Sequence, residues 1–253
     1  MSQRVLITAA ASGIGREMVR AFAAIGAKIF ICDIDEPALD ALRDEIPGLG
    51  TAHCDIGIRA DVERMVPQAV RALGGLDVLV NNCGMAGPTA PVDAVTPEEW
   101  DRVMAVNITG MFDVTRLAIP HLKSAKGGGA IVNMSSIAGR AGFINRSPYS
   151  ASKWAVIGFT KTLALELGGN GIRANAILPG AVAGDRIERV FAGRARITNR
   201  ALEDVRADAL ANQSIKAMVD PKDIAQLVVY LASPAAKAIS GQAIPIDNDR
   251  QRS

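Results

Sequence analysis

Short apolar runs alternate with longer amphipathic segments along most of this 253-residue chain. Seven runs are short and bounded by glycine or polar residues, which predicts buried β-strands. The predicted strands span residues 5–8, 28–32, 51–53, 76–81, 130–134, 173–178 and 242–246. Between them apolar residues recur at helical spacing, and the predicted helices span residues 13–25, 36–45, 59–73, 97–122, 148–167 and 221–232.

This order of elements predicts the fold class. Strands that alternate with helices form a parallel sheet that is covered by helices on both faces. We therefore expect an α/β protein with seven parallel strands, and the lack of a linker predicts one domain over residues 1–253. In such sheets ligands bind at the carboxyl ends of the strands, where the strand order reverses.

Residues 181–216 do not fit the alternation and are predicted to be irregular. The segment follows Pro179-Gly180 and is too long for an ordinary connection in a compact domain. It carries six arginines, at positions 186, 189, 194, 196, 200 and 206. We expect a lid over a substrate site, although a solvated helical hairpin without ligand contacts would show the same pattern.

Composition narrows the function classes. The 28 basic and 26 acidic residues nearly cancel, so we expect no nucleic-acid partner. No apolar run reaches the length of a membrane span or a signal peptide. Cys32, Cys54 and Cys83 lack paired spacing, which predicts neither disulfides nor zinc and favours a reducing cytoplasm. With two histidines in the chain, we expect no metal site and no Ser/His/Asp triad.

Tyr149 and Lys153 lie four residues apart in the sequence SPYSASK. Ser147 can cap a helix whose first residue is Pro148, so both side chains are predicted on one helical face. A nearby ammonium favours the phenolate and lowers the pKa of a tyrosine, which would make Tyr149 an acid/base group. By itself, the same pair is typical of a surface helix whose tyrosine packs on a lysine stem.

Glycines and polar residues follow several predicted strands. The turn after the first strand reads TAAASGIG, and its Gly13 and Gly15 would let a pyrophosphate approach a helix N-terminus. Asp33 ends the second strand, where a carboxylate can bind both hydroxyls of an adenine ribose. NNCG follows the fourth strand, Asn107 interrupts an apolar helix, and Ser136 follows the fifth strand.

Taken together, these motifs resemble the classical short-chain dehydrogenase/reductases, and the resemblance covers nearly the whole chain. The landmarks occur in the family's order: TAAASGIG, the acid after the second strand, Cys54-Asp55, NNCG, Asn107 in VNITG, Ser136 in NMSS, YSASK, Asn175 and Pro179-Gly180. The resemblance implies a doubly wound Rossmann fold and a homo-oligomer, either a dimer or a homotetramer.

The resemblance implies a catalytic set of Asn107, Ser136, Tyr149 and Lys153. Tyr149 would exchange a proton with the substrate oxygen, which Ser136 would hold by a hydrogen bond. Lys153 would bind the nicotinamide ribose and lower the pKa of Tyr149. Asn107 would hold a water that links Lys153 to solvent.

The resemblance also implies an NAD site. NAD is expected over NADP because the carboxylate of Asp33 repels a 2′-phosphate, for which Arg16 is the nearest cation in sequence. The implied cofactor residues are Ser12, Gly13, Ile14, Gly15, Asp33, Ile34, Asp55, Ile56, Asn81, Cys83, Gly84, Tyr149, Lys153, Pro179, Gly180 and Val182.

Three positions depart from the family pattern. Ala9 stands where glycine is usual, so the first turn must accommodate a β-carbon, and a slight shift of the backbone is expected. Gly184 stands where many members have a threonine against the nicotinamide carboxamide, so that contact is expected to be lost or replaced. The glycine pair common after Asp247 is replaced by Asn248-Asp249, and subunit contacts there are expected to differ.

We expect an NAD-dependent oxidoreductase that interconverts a secondary alcohol and a ketone on a small polar molecule such as a sugar, polyol or hydroxy acid. A 3-oxoacyl thioester reductase is the alternative enzyme. A non-catalytic dinucleotide-binding regulator is the alternative of another class. The intact catalytic set argues against the regulator, because a binding protein has no need of an acid/base tyrosine.

Overall fold

The computed structural model describes residues 2–250. Within that range seven parallel strands form one sheet in the order β3-β2-β1-β4-β5-β6-β7. The strands are β1 (Arg4–Thr8), β2 (Lys28–Asp33), β3 (Gly50–His53), β4 (Val78–Asn81), β5 (Ala130–Met134), β6 (Arg173–Pro179) and β7 (Ala243–Ile246). The predicted α/β, doubly wound fold is confirmed. The predicted domain of residues 1–253 also includes residues 1 and 251–253, which lie outside the described range.

Helices cover both faces of the sheet. They are α1 (Gly13–Ala24), α2 (Glu36–Glu45), α3 (Arg59–Leu73), α4 (Pro97–Met104), α5 (Gly110–Lys123), α6 (Ser147–Leu167), α7 (Asp185–Thr198), α8 (Leu202–Ala211) and α9 (Pro221–Ala232). One core packs α1, α2 and α9 against one face, and the other packs α3, α5 and α6 against the opposite face.

The strands are short apolar runs because both faces of the sheet are buried. Val5 and Ile7 of β1 enter one core, while Leu6 between them enters the other. Successive side chains of a strand point to opposite faces, so a strand buried on both sides has no polar positions to alternate with. This explains why apolar runs, rather than alternation, mark the strands in the sequence.

The predicted helix at residues 97–122 is interrupted. Thr96 caps α4 and forms a reciprocal capping box with Glu99. A π-helical turn then spans Ala105–Thr109 before α5 begins at Gly110. A β-carbon on Gly110 would lie 2.2 Å from the carbonyl oxygen of Ile56, so this helix approaches the chain after β3 too closely for a side chain. Asn107 lies within the π turn, a feature that often marks functional positions.

The segment 181–216 is not irregular, which corrects the prediction. It contains α7 and α8, which pack on each other through a small core of Phe191, Val205 and Ala209. Because these two helices bury so few residues, their apolar positions show no clear helical period, and the sequence pattern did not predict them. Among the described residues, no helix combines the length and apolar composition that a membrane crossing requires.

Candidate active site

A cleft of about 800 Å³ runs along the carboxyl ends of the central strands. The strand order reverses between β1 and β4 beneath it, which is where open α/β sheets bind ligands. Most of the predicted site residues line the cleft. They are Ser12, Gly13, Ile14, Gly15, Asp33, Ile34, Asp55, Ile56, Cys83, Gly84, Ser136, Tyr149, Lys153, Pro179, Gly180 and Val182.

Asn81 lies behind the wall of the cleft. Its side chain is 2% exposed, and its amide nitrogen donates hydrogen bonds to Thr115 Oγ1 at 2.9 Å and Asn133 Oδ1 at 2.8 Å. The side chain therefore ties β4 to α5 and β5. Its neighbour Asn82 lines the cleft instead, because successive residues of an extended chain point to opposite sides.

The turn between β1 and α1 has a left-handed residue at Ala9, with φ of +50°. A β-carbon is strained in this region by about 1 kcal/mol or more. The side-chain Nδ2 of Asn82 donates hydrogen bonds to the carbonyl oxygens of Thr8 at 3.0 Å and Ala9 at 2.7 Å. These bonds hold the turn in place. The turn thus takes a conformation that glycine would favour, and the alanine is accommodated with strain.

Gly15 lets α1 begin close to this turn. A β-carbon on Gly15 would lie 2.5 Å from the carbonyl oxygen of Ala9 and 2.6 Å from the α-carbon of Ala10. Gly13 has φ of +53°, and a β-carbon there would meet no atom within 4 Å. The first backbone N–H groups of α1 have no partner within the helix and face an open part of the cleft, which is an arrangement that binds phosphate.

Asp33 is fixed at the carboxyl end of β2. Its Oδ2 accepts a hydrogen bond from the backbone nitrogen of Ala11 at 3.0 Å, and its Oδ1 accepts one from Ile34 N at 2.8 Å. Arg16 is directed away from Asp33, because its guanidinium pairs with Glu45 of α2 at 2.6 Å. This end of the cleft therefore presents the carboxylate of Asp33. Arg16, the cation nearest to Asp33 in sequence, is already paired with Glu45.

Asp55 lines the same end of the cleft. Its Oδ1 accepts a hydrogen bond from Gly57 N at 2.8 Å, and its Oδ2 pairs with Arg102 of α4 at 2.6 Å. Arg102 was not singled out in the sequence, since nothing in the pattern of α4 links it to residues after β3. The ion pair joins α4 to the floor of the cleft.

Tyr149 and Lys153 share one face of α6, as predicted from their spacing. The Nζ of Lys153 lies 5.8 Å from the centre of the Tyr149 ring. The predicted cap is wrong, however: α6 begins at Ser147 itself, and its buried hydroxyl has no partner among the described residues. A capping side chain must come from the residue before the helix, and that residue is Arg146.

Three cations surround the ring of Tyr149. The guanidinium carbons of Arg146 and Arg186 lie 4.8 Å and 5.8 Å from its centre, and Lys153 completes the set. Burial alone would raise the pKa of Tyr149, but the charges of Arg186, Lys153 and Arg146, with a hydrogen bond from Ser136, outweigh it. The net effect lowers the pKa of Tyr149, as a nearby positive charge does for any phenol.

Lys153 is almost completely buried, with 3% of its surface exposed. Its Nζ donates a hydrogen bond to the carbonyl oxygen of Met134 at 2.7 Å, at the end of β5. Burial lowers the pKa of Lys153, and the neighbouring Tyr149 opposes that shift. A β-carbon on Gly84 would lie 3.1 Å from this Nζ, so glycine keeps the space beside the ammonium open.

Asn107 connects the loop after β4 to α6. Its Oδ1 accepts from Met85 N at 2.7 Å, and its Nδ2 donates to Met85 O and to Ser152 Oγ, both at 3.0 Å. Ser152 in turn donates to the carbonyl oxygen of Tyr149 at 2.8 Å. The buried amide is therefore fully paired, and it positions the helical turn that carries Tyr149 and Lys153.

Comparison with known proteins identifies the family. A family model described as enoyl-(acyl carrier protein) reductase matches residues 8–248, nearly the whole chain. The chain is a classical short-chain dehydrogenase/reductase. It is 36% identical to a 3-oxoacyl-[acyl-carrier-protein] reductase of Thermotoga maritima, over 96% of this chain and 95% of that protein. It is 35% identical to a D-beta-hydroxybutyrate dehydrogenase of Cupriavidus necator, over 93% of each.

Solved structures of the family have the same fold. NAD⁺-bound xylitol dehydrogenase superposes with a TM-score of 0.92 at 28% identity, over 96% of this chain and 97% of that one. An actinorhodin polyketide ketoreductase with NADPH superposes with a TM-score of 0.92 at 34% identity, over 98% and 96%. The family binds a nicotinamide dinucleotide, and the open N-terminus of α1, the Asp33 carboxylate and the buried Lys153 fit such a group chemically.

Two departures of this short-chain dehydrogenase/reductase from its family have a structural explanation. Gly184 has φ of +135°, a conformation in which a threonine would be strained, so glycine suits the start of α7. Asn248 and Asp249 have φ of +57° and +54°. These two residue types tolerate the left-handed region better than most others, so they suit the two positive φ angles found here.

The site of this family member contains several residues that were not predicted from the sequence. Phe143, Arg146 and Arg250 line the cleft beside Tyr149. The position of Arg146 could have been predicted, because it lies three residues before Tyr149 at the start of a helix, and residues at this spacing are neighbours. The position of Arg250 could not, because it follows from an antiparallel bridge between Gln213 and Arg250 that joins distant parts of the chain.

Proposed function

We propose that this protein is an NAD-dependent oxidoreductase that interconverts a secondary alcohol and a ketone on a small polar substrate of the sugar, polyol or hydroxy acid type. The observation that carries the proposal is the half-buried Tyr149, which lies among three cations at one end of a cleft whose other end presents Asp33. One end suits proton exchange with an alcohol, and the other suits an unphosphorylated ribose.

Tyr149 is the proposed acid/base group. When bound, the nicotinamide supplies or accepts the hydride at the reacting carbon. In ketone reduction Tyr149 donates its proton to the carbonyl oxygen, and in alcohol oxidation its phenolate takes the hydroxyl proton. The cations that lower the pKa of Tyr149 make the phenolate accessible nearer to neutral pH.

Ser136 and Lys153 support this exchange. Ser136 follows β5, and its Oγ accepts a hydrogen bond from Ala138 N at 3.1 Å, which fixes the rotamer of a side chain that lines the cleft. Its hydroxyl, which hydrogen-bonds to Tyr149, lies beside the phenol and can donate to a substrate oxygen bound there. The ammonium of Lys153, held by Met134, is within reach of ribose hydroxyls through the space that Gly84 leaves open. Asn107 positions this turn through Ser152, and its proposed further role is to hold a water that links Lys153 to solvent.

NAD is the proposed cofactor because of the charges around Asp33. Its carboxylate can accept hydrogen bonds from both ribose hydroxyls, whereas a 2′-phosphate would meet a like charge. Arg16 and Arg20 both pair with Glu45, which holds their guanidiniums toward α2. Similar structures contain either cofactor, NAD⁺ in xylitol dehydrogenase and NADPH in the ketoreductase, so the choice rests on Asp33.

The second candidate is a 3-oxoacyl thioester reductase. The relative from Thermotoga maritima, which matches over 96% of this chain, favours it. The two candidates share the proton chemistry of Tyr149 and differ in the length of the group that the cleft must admit. Activity with a 3-oxoacyl thioester but not with small alcohols would decide for the second.

The proposed assembly is a homo-oligomer, a dimer or a tetramer, in a reducing cytoplasm. Apolar side chains on α5 and α6 support the assembly, because Phe112, Trp154 and Leu165 are 44%, 52% and 86% exposed. Large apolar groups that share an exposed face often mark a subunit interface. Light scattering on the purified protein measures the subunit number.

A panel of sugars, polyols, hydroxy acids and their ketones, followed by the absorbance of reduced nicotinamide, tests the function. Tyr149→Phe keeps the ring and removes the proton, so turnover should fall by about 10²- to 10⁴-fold while NAD binding persists. Lys153→Ala should in addition weaken NAD binding. Full activity of Tyr149→Phe on a confirmed substrate would contradict the mechanism.

A further inference from the structure

Four of the arginines that line the cleft lie over the rings of Tyr149 and Phe143 and are here called the arginine cluster: Arg146, Arg186, Arg194 and Arg250. Arg146 precedes α6, Arg186 and Arg194 lie on α7, and Arg250 follows β7. The first two lie over the ring of Tyr149. The guanidinium carbons of Arg194 and Arg250 lie 5.9 Å and 5.3 Å from the centre of the Phe143 ring.

Within residues 2–250, no arginine of the cluster forms an ion pair. Arg146 donates a hydrogen bond to Thr89 Oγ1 at 3.2 Å, and Arg186 donates one to Gly84 O at 3.0 Å. Both acceptors are uncharged. The Nε of Arg194 is buried without a hydrogen-bond partner in the same range. Several arginines elsewhere in the protein form ion pairs, as Arg102 does with Asp55 and Arg140 with Asp247.

Such charges are unfavourable in the protein alone. Burial lowers the pKa of Arg146, Arg194 and Arg250 and outweighs the opposing influence of Tyr149 on Arg146 and of Asp247 on Arg250. The mutual repulsion of the guanidiniums lowers the pKa of Arg146 and Arg194 further. A charge that is removed from water needs an opposite charge or hydrogen bonds to compensate it. Several unpaired guanidiniums around one cavity therefore indicate an anionic ligand that the cavity is built to receive.

The cluster is held by contacts between distant segments. Thr89, which accepts from Arg146, lies against α7, since a β-carbon on Gly193 would be 3.3 Å from its Oγ1. Ala90 N donates to Asn145 O at 3.1 Å, next to Arg146. Arg250 is placed by its bridge to Gln213. The arginines thus converge through packed backbone rather than through chance positions of long side chains.

The anion of the substrate is distinct from the phosphates of the cofactor. The pyrophosphate site is the N-terminus of α1, formed by Gly13 and Gly15, whereas the cluster surrounds Tyr149 and Phe143. The arginine cluster suits a carboxylate better than a phosphate. The apolar ring of Phe143 forms part of this site, and a singly charged group loses less hydration free energy against it than a doubly charged one.

We infer that the substrate is an acid, an alcohol or oxo compound whose carboxylate is bound by the arginine cluster while its reacting oxygen faces Tyr149. This inference rests on the proposed function and narrows its substrate class to hydroxy acids and their oxo counterparts. Two guanidiniums can hold the two oxygens of a carboxylate, which also fixes the orientation of the molecule.

Kinetics on matched pairs test the inference. Short linear and cyclic hydroxy acids are compared with their own amides, which have the same shape and no charge. The wild type should prefer acids by at least about tenfold in kcat/KM, since a charge-assisted hydrogen bond is worth that much. Arg194→Met and Arg250→Met should each reduce this ratio by about tenfold, mainly through KM.

Arg196→Met is the matched control. Arg196 lies on α7, is exposed and does not line the cleft, so this variant should keep the wild-type ratio. Equal turnover of acids and amides by the wild type would overturn the inference. A ratio unchanged in Arg194→Met and Arg250→Met would do so as well, and so would a preference for phosphorylated alcohols over hydroxy acids.

A binding experiment separates this inference from the proposed function. Succinate, glutarate and adipate are added to the wild type in the presence of NADH, and the melting temperature is measured. At least one should stabilise the wild type and Arg196→Met but not Arg194→Met; no stabilisation of the wild type overturns the inference. Stabilisation without NAD-linked turnover of any alcohol would instead reject the proposed function and leave the anion site standing.

Discussion

The guanidinium of Arg146 lies over the ring of Tyr149, with 4.8 Å between its carbon and the ring centre. Arg146 is 5% exposed and directly precedes α6, so the helix start fixes the two side chains relative to each other. Lys153 and Arg186 lie near the same ring, so three positive charges surround the phenol of Tyr149. The Tyr-x-x-x-Lys spacing alone predicts only one of them. The pH dependence of the reaction should reflect this.

Arg186→Met should shift the pH profile of alcohol oxidation to higher pH. Arg186 is the largest of the influences that lower the pKa of Tyr149, so its removal raises that pKa. Oxidation needs the phenolate, so the rate rises with pH through the tyrosine pKa, and the midpoint should move up by about one pH unit or less. A neutral alcohol should be used as the substrate, because Arg186 then cannot affect the rate by binding a charge on the substrate. Arg196→Met should leave the midpoint unchanged, and a shift to lower pH in Arg186→Met would contradict the account.

The wild type should prefer NAD over NADP by at least about a hundredfold in kcat/KM, which corresponds to about 2.7 kcal/mol. Asp33→Ala should narrow the gap mainly by weakening NAD, because hydrogen bonds to the ribose are lost. Asp40→Ala removes the same charge from an exposed position of α2 and serves as the control. Steady-state kinetics with both cofactors measure the ratio; comparable values in the wild type would show that Asp33 does not face the ribose.

Ala9→Gly should stabilise the protein by about 1 kcal/mol, because glycine adopts the left-handed conformation of this turn without strain. Ala10→Gly is the matched control. Ala10 is fully buried in the same turn and lacks a positive φ, so glycine there should destabilise. Urea unfolding midpoints compare the two variants, and a loss of stability in both would mean that the strain at Ala9 is negligible.

Residues 181–216 should become protected when substrate and cofactor bind together. The helices α7 and α8 share a core of only three buried residues, so they should open more readily than the sheet. Hydrogen exchange measured with NADH and a bound carboxylate should slow in this segment and stay constant in β1. Equal exchange with and without ligands would show that the segment is a fixed wall and not a lid.

The sequence alone was sufficient for the sheet and for most of the cleft. Parallel strands buried on both faces have to be apolar throughout, so runs such as the one at β1 can be recognised without knowledge of their partners. Residues that follow such strands meet at one edge of the sheet, which is why Asp33 and Ser136 could be assigned to one cleft before their distances were known.

Predictions from local sequence were wrong where the position of a side chain depends on a contact with a distant part of the chain. Ser147 has the residue type of a cap, yet the helix starts one position earlier than the rule requires. Asn81 and Asn82 have the same side chain, and only the pairing of β4 with its neighbours decides that Asn82 lines the cleft. The sparse core of α7 and α8 likewise left no period to detect.

The placement of Tyr149 and Lys153 on one turn of one helix was determined by the sequence, because their spacing is a local property. The proposed proton exchange rests on this pair. The arginine cluster, on which the proposed anion site rests, was decided only by the tertiary structure. Arg146, Arg194 and Arg250 come from three separate parts of the chain, and loop packing and a single backbone bridge bring their charges together. No local pattern encodes that convergence, since it depends on contacts between residues far apart in sequence.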